Sequence, residues 1–309
     1  MNSSIDAIRK GSLKIMALTA PDNVMPDAPL SEYTTFRAGG CCDLLVSPAD
    51  TEELKSILEI CGELQIPTFV LGRGSNLLVS DRGFRGVVIS LRRHFSGIER
   101  EGQRIMAGAG ALLSKAADAA LSGALKGLEF ASGIPGTVGG AIRMNAGAYG
   151  REIRDCVEEA VLLLPDGSIR TFSRDELAFS YRSSAVETLS AVVLKASFLL
   201  EPGDPDEIRA YMDDLNQKRR EKQPLELASA GSTFKRPAGF YAGKLIDDAG
   251  LRGFRIGNAG VSEKHAGFVV NYGGATAAEI YQVILHVKEE VQRQFHVELE
   301  PEVRLLGDF

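Results

Sequence analysis

The residues able to do chemistry sit in a few short stretches. "AGSTFKRP" begins at Ala230 and sets Ser232 behind a glycine, just ahead of Lys235 and Arg236. A serine so placed reads as a nucleophile, a phosphate-binding hydroxyl or part of a turn. Arg182, after Tyr181, can oppose developing negative charge, and Glu302 can carry a proton or anchor a hydrogen bond. Each also reads as a plain surface charge. His94, His265, His286 and His296 have no pairing with Asp and Ser that suggests a hydrolase triad. His286 and His296 read as solvated, while His265, inside "VSEKHAGFVVN", is better placed near a site. "KRREKQP" (218–224) is basic in an acidic chain. It reads as a solvated helix end that suits the helix dipole. Joined to Lys235, Arg236 and Lys244, it reads instead as a site for a diphosphate or carboxylate.

Two glycine-rich loops stand out. "GRGSN" (Gly72–Asn76) follows a strand-like run. Its glycines can expose backbone N–H groups, and Ser75 and Asn76 add polar side chains, as an anion-binding nest requires. It matches neither the P-loop nor the G-x-G-x-x-G pattern, and a Gly/Asn turn is the other reading. "SGIPGTVGG" (Ser132–Gly140) carries four glycines in nine residues, and "MNAGAYG" adds two more. So many glycines in one loop cost stability unless the backbone approaches something closely. Two such loops can grip the two ends of a pyrophosphate cofactor, or serve tight crossings between packed elements.

The elements that must position these loops are legible from periodicity. "SPADTEELKSILEICGELQIP" predicts a helix, with Asp50 and Glu53 as a capping box and Leu54, Ile57, Leu58 and Cys61 on one face. "TFVLG" and "GVVISL" read as strands, giving β-α-β with "GRGSNLLVSDRGFRG" as the loop between the two strands. "RIMAGAG" and "AVVLKASFLL" read as strands and "ALLSKAADAALSGAL" as an amphipathic helix. "VEEAVLLLPDGSIRTFS" reads as a hairpin with Asp166-Gly167 as its tight turn. A composition shift at "EPGDPDE" (201–207) suggests a domain boundary, followed by a charged helix. Thr276 and Glu279 predict a second capping box, for a helix with Ile280, Ile284, Val287 and Val291 on its core face. "VELEPEVRLLG" reads as a closing strand, and residues 1–30 as a leading segment or short helix. The pattern is α+β rather than a repeating doubly wound sheet.

Composition narrows the class. The chain has 309 residues, 44% hydrophobic and 25% charged, which suits two or three globular domains. A formal net charge of −6 argues against a general nucleic-acid binder. Cys41, Cys42, Cys61 and Cys156 form no metal-ligand spacing and read as reduced thiols, with no metal site expected. No apolar run approaches the ~18 residues of a membrane span and no signal peptide is recognisable, so the chain reads as cytoplasmic.

Taken in order, "GRGSNLLVSD", "GIPGTVGGAIRMNAGAYG", "SYRSS", "GSTFKRP", "YAGKLIDDAG" and "VSEKHAGFVVN" resemble the UDP-N-acetylenolpyruvoylglucosamine reductase family, from about "TTFRAGG" to "PEVRLLG". The resemblance implies a vanillyl-alcohol-oxidase (PCMH-type) FAD-binding fold. It implies a leading segment (1–31), two FAD-binding subdomains (32–95 and 96–200) and a C-terminal substrate domain (201–309). The implied reaction belongs to peptidoglycan precursor synthesis. NADPH reduces the flavin, and the hydride then passes from flavin N5 to C3 of an enolpyruvyl ether of UDP-N-acetylglucosamine, giving UDP-N-acetylmuramate.

By the same resemblance, FAD is held by Gly72, Arg73, Gly74, Ser75, Asn76 and Leu77, and by Ser132, Ile134, Pro135, Gly136, Thr137, Gly139, Gly140, Ala146 and Gly147. Arg182 and Glu302 stabilise the enolate and Ser232 protonates C2. Tyr149, Arg219, Lys222, Arg236 and His265 fall on the substrate side, and Lys235 joins them through the basic cluster. The chain is expected to be a monomer of the shorter subclass, which lacks an inserted tyrosine-bearing loop. Arg143 departs from the apolar or aromatic residue expected before "MNAGAYG". Two other readings stay open: another FAD oxidoreductase of this fold acting on a sugar or lactone, and a non-catalytic nucleotide-binding protein.

Overall fold

A computed structural model describes the backbone of residues 2–309 and the side chains from Ile5 onward. The chain divides into two compact units. The first comprises Met1–Met25, Leu45–Gly72 and Val87–Arg219; the second comprises Pro26–Leu44, Arg73–Gly86 and Arg220–Phe309.

In the first unit the expected helix spans Thr51–Glu63. Asp50 Oδ1 accepts the Glu53 N–H at 2.9 Å, but the Glu53 carboxylate reaches back to Ala49 N, also at 2.9 Å, so the box closes one residue early. Leu54, Ile57 and Cys61 are buried as expected, and Leu58 is half-buried. Strand Thr68–Leu71 pairs in parallel with Phe84–Ser90, Thr68 facing Val87 and Leu71 facing Ser90. A five-stranded antiparallel sheet follows, in the order Ile169–Ser173, Val157–Leu163, Val192–Leu199, Arg104–Gly108, Ile98–Glu101. The hairpin loop is three residues rather than two. Leu164 N donates to Ser168 O at 2.9 Å, and Gly167 takes φ +80°, which suits glycine. The Asp166 carboxylate accepts both the Ser168 N–H and hydroxyl, hydrogen bonds that lower its pKa.

The opening residues, read as a leading segment or short helix, form a helix longer than that. Asn2–Leu18 is a helix of 17 residues with Ile8, Gly11 and Ile15 buried along one face. Those positions recur at i, i+3 and i+7, the helical period. A Cβ on Gly11 would stand 2.1 Å from Ile66 Cδ1, so the glycine permits that contact.

The second unit packs helix Ala277–Phe295 with a small antiparallel sheet in the order Ala228–Ser229, Val269–Asn271, Ala259–Val261, Arg255–Ile256. The Thr276–Glu279 box forms reciprocally, and Ile280, Ile284, Val287 and Val291 are buried. Burying each such side chain contributes about 1.5–3 kcal/mol. The stretch read only as a loop contains a strand, Leu77–Val79, which pairs in parallel with Arg304–Leu306. Three residues carry too little alternation to mark a strand, and the partner lies at the far end of the chain. Of the cysteines, Cys41 is exposed; burial pushes the thiols of Cys42 and Cys156 up to about 12 and that of Cys61 to about 11. No helix among the described residues is long and apolar enough to cross a membrane.

Asp81 adds a cap that the sequence did not announce. Its two carboxylate oxygens accept the N–H groups of Ala277 and Ala278, each at 2.8 Å. A carboxylate at a helix N-terminus satisfies orphan donors and favours the dipole. Asp81→Ala should therefore lower stability by about 1–2 kcal/mol, read as a lower urea midpoint, and Asp81→Asn by less. An unchanged midpoint in Asp81→Ala would remove this cap from the account.

Candidate active site

In the second unit the candidate residues meet on a backbone ladder centred on Thr233, which is fully buried. Thr233 N donates to Gly267 O at 2.9 Å, its hydroxyl oxygen accepts from Val269 N at 2.9 Å, and its carbonyl accepts from Glu302 N at 2.8 Å. Phe234 bridges to Pro301, and Lys235 N donates to Glu300 O at 2.9 Å. Residues 233–235 and 300–302 are thus antiparallel neighbours, with Thr233 opposite Glu302 and exposed Ser232 one residue earlier at the edge. Gly231 precedes it at φ +78°, a conformation that favours glycine.

The Glu302 carbonyl is held as well. Asn76 Nδ2 donates to it at 3.0 Å, and the Asn76 carbonyl accepts from Arg304 N at 3.1 Å. Asn76 therefore links the first glycine loop to Glu302. Arg73 is exposed, Ser75 half-buried and Leu77 buried at the start of its strand. Gly74 takes φ +63°, and a Cβ there would stand 2.3 Å from the Tyr33 carbonyl oxygen. Protein backbone, not only a ligand, demands that glycine.

His265 joins the ladder through Gly267, whose N–H donates to His265 Nδ1 at 3.0 Å. In the neutral ring that bond leaves the proton on Nε2. Phe268 packs edge-on against the ring at 4.9 Å, and burial lowers the imidazole pKa. Lys235 pairs with Glu300 and Lys244 with Asp248. Arg236 lies 4.0 Å over the Tyr241 ring and donates to the Phe240 carbonyl at 3.3 Å. Lys222 is exposed in the last turn of helix Pro205–Lys222. Local partners thus hold several of the cations read as one cluster.

The first unit gathers the remaining candidates. The Ser132 hydroxyl accepts from Asn216 Nδ2 at 3.2 Å, and Gly133 lies against Asn216 and Arg219. Ile134 and Gly136 make turn hydrogen bonds, and Pro135 is exposed. Thr137 caps helix Val138–Met144, with its hydroxyl 2.5 Å from where a Gly72 Cβ would stand. A Gly139 Cβ would meet Ala109 at 2.9 Å, whereas one on Gly140 would meet only Thr137 Oγ1 at 3.6 Å. A cavity of 610 Å³ is lined by Gly72, Thr137, Gly139, Gly140 and Arg143, with Val70, Leu71, Val192 and Val193 among its apolar walls. Ala146 N closes the helix on Ala141 O at 2.9 Å.

Arg182 sits in the two-residue turn between Ser180 and Ser183, at φ +57°. Its Nη2 donates to the Gly147 carbonyl at 3.5 Å. Tyr149, at φ +54°, donates its hydroxyl to Leu215 O at 3.0 Å. Burial lowers the pKa of Arg219. Arg182 belongs to the first unit, and Ser232 and Glu302 to the second.

The reading of His286 as solvated is corrected: its ring stacks on Phe254, centroids 4.3 Å apart. His296 is exposed at the left-handed cap of its helix, and His94 Nε2 lies 3.0 Å from Asn23 Oδ1. Thr233 and Asn145 were not singled out in the sequence. Each is a polar residue beside an apolar one in a motif chosen for its neighbours, a signal too common to find them. No group of three His, Cys, Asp or Glu able to hold a metal occurs among the described residues.

The His265 arrangement fixes a pH dependence. Its folded pKa lies below the ordinary 6.5, so the unfolded chain binds a proton that the folded chain excludes. This contribution to stability is complete above pH 6.5 and is lost as pH falls through 6.5 towards the folded pKa. Histidine ¹⁵N NMR should find the Nε2–H tautomer and a midpoint below 6.5. A midpoint at or above 6.5 contradicts the burial argument.

Comparison with known proteins agrees with this layout. An FAD binding domain family matches residues 42–173, and UDP-N-acetylenolpyruvoylglucosamine reductase, C-terminal domain, matches 223–306. A UDP-N-acetylenolpyruvoylglucosamine reductase of Agathobacter rectalis is 50% identical over 298 residues, covering 93% of this chain and 95% of its own. One of Alkaliphilus oremlandii is 47% identical, covering 93% and 94%. The crystal structure of the Thermus caldophilus reductase matches with a TM-score of 0.78 at 34% identity, over 92% of this chain and 98% of that one. The α+β FAD-binding fold expected from the motifs is therefore the fold of this chain, and the chain belongs to the UDP-N-acetylenolpyruvoylglucosamine reductase family.

Proposed function

We propose that Arg182, Ser232 and Glu302 carry the substrate half of an FAD- and NADPH-dependent reduction of the enolpyruvyl ether of UDP-N-acetylglucosamine, giving UDP-N-acetylmuramate for peptidoglycan. The observation that supports this assignment is the ladder through Thr233, which pairs the residue following Ser232 with Glu302 along the backbone. Family membership supports the substrate and cofactors.

The residues present fit the flavin cofactor. The 610 Å³ cavity lies within the range of small-molecule sites, with apolar walls and glycine backbone on one side. Gly140 leaves room at that wall that a side chain would fill. We assign Gly72–Leu77, Ser132, Ile134–Thr137, Gly139, Gly140, Ala146 and Gly147 to holding it. FAD, when bound, supplies the hydride carrier between NADPH and C3 of the substrate.

The protein must then manage charge and a proton. Hydride arriving at C3 and a proton arriving at C2 turn the CH₂=C of the enolpyruvyl group into CH₃–CH. Between the two, negative charge gathers at C2 and its carboxylate. Arg182 opposes that charge with its guanidinium cation. Ser232 gives its hydroxyl proton to C2; a serine is a weak acid in water, and a carbanion is basic enough to take it. Glu302 assists as a neutral acid or beside a cation, because a bare carboxylate would oppose the enolate. On this reading 201–309 takes the sugar nucleotide, with Lys222, Lys235, Arg236 and His265 at its contacts and Tyr149 and Arg219 beside the loops. The chain works as a cytoplasmic monomer.

The purified protein should be yellow and should turn over NADPH continuously only when the enolpyruvyl sugar nucleotide is present. Ser232→Ala should keep flavin reduction by NADPH and lose reoxidation by substrate, by roughly 10²–10⁴-fold. Equal loss in both halves makes Ser232 structural. Gly140→Ala should leave flavin content unchanged, whereas Gly140→Leu should lower the flavin-to-protein absorbance ratio after reconstitution. Full flavin in Gly140→Leu would move the cofactor away from this wall.

A further inference from the structure

Asn145 has the burial and bonding of a hub, and nothing above uses it. It is fully buried and takes φ +42°, closing helix Val138–Met144. Closing a helix in that conformation requires only glycine. An amide buried without partners would be costly, so this side chain has to be justified by what it bonds. Nδ2 donates to the Ser180 carbonyl at 3.0 Å and to Glu152 Oε2 at 3.0 Å. Oδ1 accepts from Arg154 N at 3.1 Å. None of the three bonds serves the helix.

One of them reaches the turn that carries Arg182, and another the ribbon that accepts its guanidinium. Ser180 is the base of the turn that carries Arg182: Ser180 N donates to Ser183 O at 3.0 Å, and Ser183 N returns to Ser180 O at 3.3 Å. The Ser180 carbonyl thus belongs to the turn and to the Asn145 amide together. Glu152 faces Gly147 across a two-stranded ribbon, and the Gly147 carbonyl receives the Arg182 guanidinium. Glu152 is itself steadied by Arg154 Nε at 2.9 Å and by the Asp155 carboxylate, which takes its N–H at 2.8 Å. A second tether, from the Ser184 hydroxyl to the Arg143 carbonyl at 3.0 Å, closes the far side of the turn.

The turn needs such support. A non-glycine residue at positive φ costs on the order of 1–3 kcal/mol and persists where its surroundings over-determine it. Ser180 and Tyr181 are exposed, so packing on their own side chains supplies little of that. We infer that Asn145 is a positioning residue for Arg182, holding the turn and the guanidinium's acceptor in one frame. This rests on the reading of Arg182 as the group that opposes charge on the substrate. Displacing such a group by about 1 Å costs roughly a hundredfold in rate.

The test separates the half-reactions in the holoenzyme. Asn145→Gly keeps the backbone conformation and deletes all three side-chain bonds. It should retain flavin and the wild-type rate of reduction by NADPH, while reoxidation by the enolpyruvyl substrate slows about a hundredfold. Combined with Arg182→Ala, it should add no further loss, because the amide acts through the arginine. Asn145→Asp, similar in volume but with acceptors facing the Ser180 carbonyl and Glu152, serves as the second variant if the glycine variant does not hold flavin. Wild-type reoxidation in Asn145→Gly, with Arg182→Ala slow, overturns the positioning role and leaves the reading of Arg182 standing. Wild-type reoxidation in Arg182→Ala removes that reading, and this inference with it. Equal slowing of both halves, or additive loss in the double variant, makes Asn145 structural only.

Discussion

Glu302 is held by its backbone from two directions, and the site of the second unit depends on it. Its N–H goes to Thr233 and its carbonyl takes the Asn76 amide. Two residues on, Arg304–Leu306 pairs in parallel with Leu77–Val79. These bonds join the first glycine loop, the serine motif and the chain's last strand, segments separated by 226 residues at the Asn76–Glu302 link. A buried backbone group left unpaired costs as much as a lost hydrogen bond, so the three segments stabilise one another or lose together. The backbone positions of Ser232 and Glu302 are tied together through that ladder.

Three of the non-glycine residues at positive φ belong to the proposed chemistry or its support. Asn145, Tyr149 and Arg182 all take positive φ within the first unit. Each is met by a specific restraint: the Asn145 amide bonds to three groups, Tyr149 reaches Leu215, and Arg182 reaches Gly147. Left-handed backbone turns a side chain in a direction that helix or strand would not. Turns of this sort can aim a guanidinium or a phenol, provided the surroundings bear the cost. Charge is restrained in the same manner. Lys235, Lys244 and Arg236 rest on a carboxylate, a carboxylate and an aromatic face.

Much of the fold was legible because its signals are local. The Thr276–Glu279 box, the Ile280–Val291 stripe and the Asp166-Gly167 turn each lie within a few residues of what they specify. The opening residues read only as a leading segment or short helix, because the buried face of Asn2–Leu18 is just Ile8, Gly11 and Ile15, and a glycine in that stripe reads as a break. Its use emerges only with Ile66 beside it. The glycine loops were recognised as close approaches, but what approaches differs. At Gly74 and Gly139 it is the protein itself; at Gly140 it is open space along a cavity.

By itself, the sequence determined the residue types, the helix ends, the α+β class and the ordered motifs that place the chain in its family. Tertiary structure alone decided that Thr233 pairs with Glu302, that Asn76 faces inward to a carbonyl, and that Asn145 bonds both the base of the Arg182 turn and Glu152. The physical reason is that these contacts run largely through backbone N–H and C=O groups, which every residue but proline carries alike. A cap or an apolar stripe depends on which side chains are present. A ladder between residues 233 and 302 depends only on which segments meet, and that follows from the packing of the whole chain.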